Sequence, residues 1–151
     1  MNDDMNLTAD GSATKPGMIA ARGAMSALIV DDEAHARAYT RLLLITLGVN
    51  KVWEASGAAE ALALYSEHRP SVVVMDINMP MMAGDGLMVK MLAIDPKVAV
   101  VVMTSESDVK TVRRFQELGA IGYLLKQSPR DQVTELLGAT LDSLIDDEET
   151  E

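Results

Sequence analysis

The sequence predicts an α/β domain: a doubly wound, five-stranded parallel sheet of order 2-1-3-4-5 with five helices distributed over its two faces. Three observations predict it. The runs Ala27–Val30, Val72–Met75 and Val98–Met103 are short, rich in β-branched residues and free of polar alternation, as strands buried on both faces are. Helical apolar spacing recurs between them. Strand-like and helix-like segments alternate five times without an internal repeat, and that alternation leads to a parallel sheet covered by helices.

Each element has its own signal. After Ala27–Val30, a helix over Ala34–Leu47 is stopped by Gly48, a residue suited to the left-handed cap. Val52–Ala55 carries Trp53 and Glu54 and is less apolar, which places it at an edge. Ala58, Ala61, Leu62 and Tyr65 form an apolar stripe at helical spacing, with Ser56 in position to cap it. Val72–Met75 comes next, then a helix over Gly86–Ile94 that stops at Asp95-Pro96. Val98–Met103 leads to a helix over Asp108–Leu118, closed by Gly119. Tyr123–Leu125 is the fifth strand. The last helix, Arg130–Leu144, repeats Val133, Leu136, Leu137, Thr140, Leu141 and Leu144, and Ser128-Pro129-Arg130-Asp131 is a start signal of capping serine, early proline and early acid.

Length and charge narrow the function classes. A chain of 151 residues that is 48 % apolar fits one ordinary domain, so a receptor or a multidomain enzyme is not expected. With no cysteine, disulfides and cysteine-based metal sites or nucleophiles are excluded, and a reducing, cytoplasmic setting is favoured. The net charge is −10, of which residues 142–151 contribute six acids and no base. That run reads as a solvated tail over 145–151, and residues 1–25 read as a flexible leader before a domain at 26–144. An acidic chain lacks the basic footprint of nucleic-acid binding, and no apolar run is long enough to span a bilayer.

In a sheet of this order ligands bind beyond the carboxyl ends of the strands, where the winding reverses. Those ends are chemically unusual here. The first strand leads into Asp31-Asp32-Glu33, the third into Asp76, the fourth into Thr104-Ser105 and the fifth into Lys126. Asp32 alone would be an ordinary helix cap, but the set is harder to explain that way. Asp31, Asp32 and Asp76 with Lys126 leave a crevice of net charge near −2, and an all-oxygen donor set favours a hard divalent cation such as Mg²⁺. Lys126 and Thr104 would then be placed to meet a phosphate.

Five motifs in this order resemble the receiver domain of bacterial response regulators, especially its single-domain, chemotaxis-type members with the flavodoxin-like three-layer sandwich. They are Val30-Asp31-Asp32-Glu33, Asp76-Ile77-Asn78-Met79-Pro80 with Gly84, Thr104-Ser105, and Gly122-Tyr123-Leu124-Leu125-Lys126. The resemblance covers about Ser26–Leu144. It implies that Asp76 accepts a phosphoryl group from a phosphohistidine of a sensor histidine kinase or phosphotransfer protein. It further implies Mg²⁺ held by Asp31, Asp32, Asp76 and the carbonyl of Asn78, with Thr104 and Lys126 on the phosphoryl oxygens. Asn78 and Glu106 would tune dephosphorylation, and Thr104 and Tyr123 would form the switch. The readout would be the face of the fourth helix, fifth strand and fifth helix, where a downstream target protein binds. With only seven residues after Leu144, the protein is expected to act without an output domain of its own, as a switch or as a relay intermediate.

One departure from the family pattern concerns Gln127, which stands where a proline commonly succeeds the lysine. The Lys126–Gln127 bond is expected to be trans, because a non-proline cis bond costs about 2.5–4 kcal/mol. His35 is expected on a solvent-facing helix surface, His68 at a helix end for the dipole, Trp53 in packing, and Met79, Met81 and Met82 as loop fillers. Lys110, Arg113 and Arg114 form a basic cluster on the fourth helix that is either a solvated face or a partner contact. An aspartate-nucleophile phosphohydrolase is disfavoured, since Asn78 occupies the position of the required second acid. A degenerate, unmodified scaffold is disfavoured by the intact Asp76, Thr104 and Lys126.

Overall fold

The computed structural model describes residues 21–77, 84–105 and 109–149. In chain order the elements are β1 (Ser26–Val30), α1 (Ala34–Thr46), β2 (Lys51–Ala55), α2 (Ala58–His68), β3 (Val72–Asp76), α3 (Gly84–Ile94), β4 (Val100–Thr104), α4 (Val109–Leu118), β5 (Gly122–Leu125) and α5 (Arg130–Glu149). All strand pairs are parallel and the order is β2-β1-β3-β4-β5, as the apolar runs predict, with β2 at an edge. A helical stretch at 21–23 adds a sixth helical piece among the described residues.

Side chains along the strands alternate between two cores. Ala27, Ile29, Val72, Val74, Val101, Met103 and Leu124 pack with Leu43 and Leu44 of α1 and Val133, Leu137 and Leu141 of α5. Leu28, Val30, Val73, Met75, Val100 and Val102 pack on the opposite face with Tyr65 of α2, Leu87, Met88 and Met91 of α3, and Phe115 of α4. β3 and β4 are buried along their whole length, which is why their sequences show no polar alternation.

Local signals behave as their chemistry requires, with small shifts. Gly48 and Gly119 adopt φ of 105° and 99°, and so close α1 and α4 in the left-handed region. Gly122 has a different reason: a Cβ there would lie 3.2 Å from the Thr140 hydroxyl, so a bare backbone lets β5 approach α5. The cap of α2 is Gly57, not Ser56. Glu60 instead reaches back, accepting from the Ser56 amide at 3.0 Å and its hydroxyl at 3.3 Å. Trp53 stacks on His68 with ring centroids 4.2 Å apart, so the helix-end histidine also packs. His35 is exposed, as expected.

Two ends of the domain differ from expectation. α5 passes Leu144 and runs to Glu149, because Ile145 falls four residues after Leu141 and is buried in the same core. At the other end, the part of the expected leader from residue 21 onward is packed structure. Met25 is buried, and the Arg22 guanidinium binds Asp142 of α5 through Nε to Oδ1 at 2.9 Å and Nη2 to Oδ2 at 2.8 Å. Its Nη1 also donates to the Leu47 carbonyl at 3.2 Å. With only 9 % of the Arg22 side chain exposed, this bidentate clip lies mostly out of water. Arg22→Met leaves Asp142 without its partner, and the expected loss is about 2 kcal/mol, lowering the thermal midpoint by roughly 4–8 °C. An unchanged midpoint in calorimetry would show that the clip adds nothing.

Candidate functional site

The parallel register brings four strand ends together. Val30 lies beside Met75 and Asp76 beside Met103, so Asp31, one step past Val30, sits level with Asp76. Thr104 pairs with Leu125, placing Lys126 one step beyond it, and the Lys126 amide donates to the Thr104 carbonyl at 2.8 Å. The Lys126–Gln127 peptide is trans.

Carboxylate oxygens of Asp31, Asp32 and Asp76 all lie within 4.8 Å of one another. Asp31 and Asp76 are buried, and Asp32 is exposed at the mouth. Lys126 reaches into the group: Nζ is 3.0 Å from Asp31 Oδ2, 3.4 Å from Asp76 Oδ2 and 4.0 Å from Glu33 Oε1. Glu33, named in the sequence only as part of the acidic run, is thus a third acid within 4.0 Å of the ammonium. Beside this cluster, between α1 and the ends of β4 and β5, a depression of about 210 Å³ is lined by Glu33, His35, Ala36, Tyr39, Thr40, Met103 and Lys126.

Two faces of the sheet contribute different side chains. By the alternation of β1, β3 and β5, Asp31, Asp76 and Lys126 belong with the α1–α5 side, whereas Thr104 and Tyr123 belong with the α2–α4 side. Thr104 is buried, and the Tyr123 hydroxyl is a buried group with no hydrogen-bond partner among the described residues. Asn78 and Glu106, with Met79, Met81 and Met82, lie outside the described residues.

Burial by itself would lower the Lys126 pKa, but the hydrogen bond to Asp31 and the charges of Asp76 and Asp31 reverse it, so the net movement is upward from 10.5. Tyr65, driven first by burial and then by Asp95, is pushed up from 10.0 to about 12. Both groups therefore hold their protons more tightly folded than unfolded. Their contribution to stability is complete below the unfolded values and is lost as pH rises through the folded ones. Thermal midpoints are expected to hold up to about pH 10 and to fall beyond it, with Tyr65→Phe removing the tyrosine's share of the fall. A midpoint that rose above that pH would contradict the assignment.

The sequence pattern of the response regulator receiver domain matches residues 27–138. The chain belongs to this family. Among its relatives, the chemotaxis protein CheY of Bacillus subtilis is 32 % identical over 114 residues, which is 76 % of this chain and 95 % of that protein. Sporulation initiation phosphotransferase F of the same organism is 28 % identical over 110 residues, covering 70 % of this chain and 85 % of that one. The crystal structure of a receiver domain protein from Clostridium thermocellum superposes with a TM-score of 0.74 at 26 % identity, over 83 % of this chain and 98 % of that one. Receivers are phosphoacceptor signalling domains that bind Mg²⁺ at an acidic pocket and interact with kinases and target proteins. This chain carries a cluster of three aspartates, Asp31, Asp32 and Asp76, at its strand ends. Among the described residues no helix is long and apolar enough to cross a membrane.

The residue that sequence reasoning missed is Arg37. Its Nη1 donates to the Asp31 carbonyl at 2.8 Å and its Nε to Glu54 Oε1 at 3.1 Å. Its partners are a backbone carbonyl and an acid on the edge strand β2, so neither spacing nor residue type in the sequence pointed to it.

Proposed function

We propose that this receiver accepts a phosphoryl group on Asp76 from a phosphohistidine of a sensor histidine kinase or phosphotransfer protein, and that the modified state switches binding of a downstream target protein. The observation that carries the reading is the buried Asp76 carboxylate, clustered with Asp31 and Asp32 and 3.4 Å from the Lys126 ammonium.

The donor set fits the cation. Three carboxylates within 4.8 Å form an all-oxygen group, one of them at the mouth, and a hard divalent ion suits such ligands. Asp31, Asp32 and Asp76, with the Asn78 carbonyl, would hold Mg²⁺, which when bound supplies positive charge against the developing phosphoryl oxygens. The remaining work belongs to the chain. An Asp76 carboxylate oxygen attacks phosphorus, the phosphorus–nitrogen bond to the donor imidazole breaks, and the electron pair leaves with the imidazole nitrogen. Lys126 orients Asp76 beforehand and the phosphoryl oxygens afterward. Asn78 and Glu106 then tune how readily water removes the group.

The switch has a plausible size. Phosphorylation adds roughly −1.5 to −2 charge. Each new hydrogen bond from a charged partner contributes about 1.5–3 kcal/mol, and a near-complete population reversal takes about 5.5 kcal/mol. Thr104 supplies such a contact as it turns toward the phosphoryl group. Lys126 contributes only a difference, because it already binds Asp31 and Asp76. Thr104 and Tyr123 share one sheet face, so a shift of the threonine opens space that the ring can occupy, relaying the change to α4, β5 and α5. A downstream protein that reads that face completes the proposal.

The test is incubation with acetyl phosphate and Mg²⁺, followed by intact-mass measurement. Gain of one phosphoryl group, lost on chelation, supports the reading; no gain moves the protein to an unmodified scaffold.

A further inference from the structure

We infer that Arg37, braced by Glu54, is a positioning residue that holds the Asp31 end of the acidic site in its working geometry. This rests on the metal-dependent phosphoryl acceptance proposed above.

Every polar group of Asp31 is engaged. Its amide donates to the Ala55 carbonyl at 3.1 Å, Oδ1 accepts the Glu33 amide at 3.0 Å, and Oδ2 takes the Lys126 ammonium at 3.0 Å. The carbonyl is held by a side chain, Arg37 Nη1 at 2.8 Å. That guanidinium is fixed at its other edge by Glu54 Oε1 at 3.1 Å, while Glu54 Oε2 is fixed in turn by Arg41 Nη1 at 2.9 Å. The Arg37 amide closes the loop by donating to the Glu33 carbonyl at 3.0 Å. The result is a brace from edge strand β2 through α1 to the turn that carries Asp31, Asp32 and Glu33.

The turn needs such a brace. Three successive acids repel one another, and a metal site demands ligand placement to within about 0.5 Å. A guanidinium on the backbone carbonyl offsets part of that repulsion and removes a freedom of the turn. The geometry also asks for arginine, because one planar fork serves the carbonyl and Glu54 together, which a lysine ammonium cannot do in the same arrangement. Arg37 touches neither the phosphoryl group nor the ion in this scheme. It acts through Asp31.

The test is Mg²⁺ affinity of the full chain by titration calorimetry, at a temperature well below every variant's melting midpoint. Loss of a partner that orients a metal ligand weakens binding by roughly 10–100-fold, and Arg37→Met is expected near the lower end. Arg37→Lys is expected to recover only part of the affinity, and Glu54→Gln to show a smaller weakening in the same direction. Arg22→Met is the matched control, since it loosens the fold far from the site and is expected to bind Mg²⁺ like the wild type. Wild-type affinity in Arg37→Met and Arg37→Lys would overturn the inference, as would equal weakening in Arg22→Met. A wild-type chain that binds no Mg²⁺ would overturn the functional reading and this inference together, whereas binding that ignores Arg37 overturns this inference alone. Should Arg37→Met not fold, Arg37→Lys and Glu54→Gln read the same quantity.

Discussion

Asp76→Asn is expected to take up no phosphoryl group from acetyl phosphate, while the wild-type chain takes up one. An asparagine amide has nearly the carboxylate's shape but no nucleophilic oxygen anion, so the substitution removes the attacking group and leaves the packing. It is also electrostatically mild. Counting Asp31, Asp32, Asp76 and Lys126, the site moves from −2 to −1, and Lys126 keeps its 3.0 Å contact with Asp31. Stability without metal is therefore expected to be preserved, and a folded but unreactive variant separates loss of chemistry from loss of structure. Continued uptake in Asp76→Asn, located by peptide mass mapping, would mean that another carboxylate is the acceptor.

Lys126→Met is expected to produce the second large effect, with a sign that depends on the cation. Without Mg²⁺ the variant leaves two carboxylates, each only 4–5 % exposed, without the ammonium that faces them both. Breaking a buried pair costs about 3–5 kcal/mol, and the partial exposure of Lys126 places this case near 3 kcal/mol, or roughly 6–12 °C in thermal midpoint. Removing the ammonium also takes the site from −2 to −3, so a divalent cation is held more tightly. Added Mg²⁺ should therefore restore more stability in the variant than it adds to the wild type, in line with the logarithmic dependence of stability on ligand saturation. Thermal melts in chelator and across an Mg²⁺ series measure both effects. A variant as stable as the wild type in chelator would show that Lys126 does not neutralise the cleft.

Much of this arrangement was legible in the sequence because it is written in short-range terms. A strand buried on both faces must be apolar without alternation, and Val72–Met75 is. A parallel sheet must place the residues just past each strand along one edge, so Asp31, Asp76, Thr104 and Lys126 could be expected together before their distances were known. The features that could not be read depend on contacts without a residue-type signature. Arg37 meets a backbone carbonyl, which every residue has, and its brace Glu54 sits on an edge strand whose acids ordinarily face water. Arg22 and Asp142 are 120 positions apart, one in a stretch resembling a loose leader and the other at the start of an acidic run. The same run hid the end of α5, since Asp146 to Glu149 look like tail residues unless the burial of Ile145 is known.

The grip of Arg22 on Asp142 has a practical corollary. Both residues fall outside the 27–138 stretch that defines the family. A minimal domain cut to those borders would retain the entire cleft and all five strands but for Ser26 of β1, yet it would lose both jaws of the fastener between the segment before β1 and α5. Laboratory fragments trimmed by sequence likeness should therefore melt earlier than the intact polypeptide while handling phosphoryl donors normally.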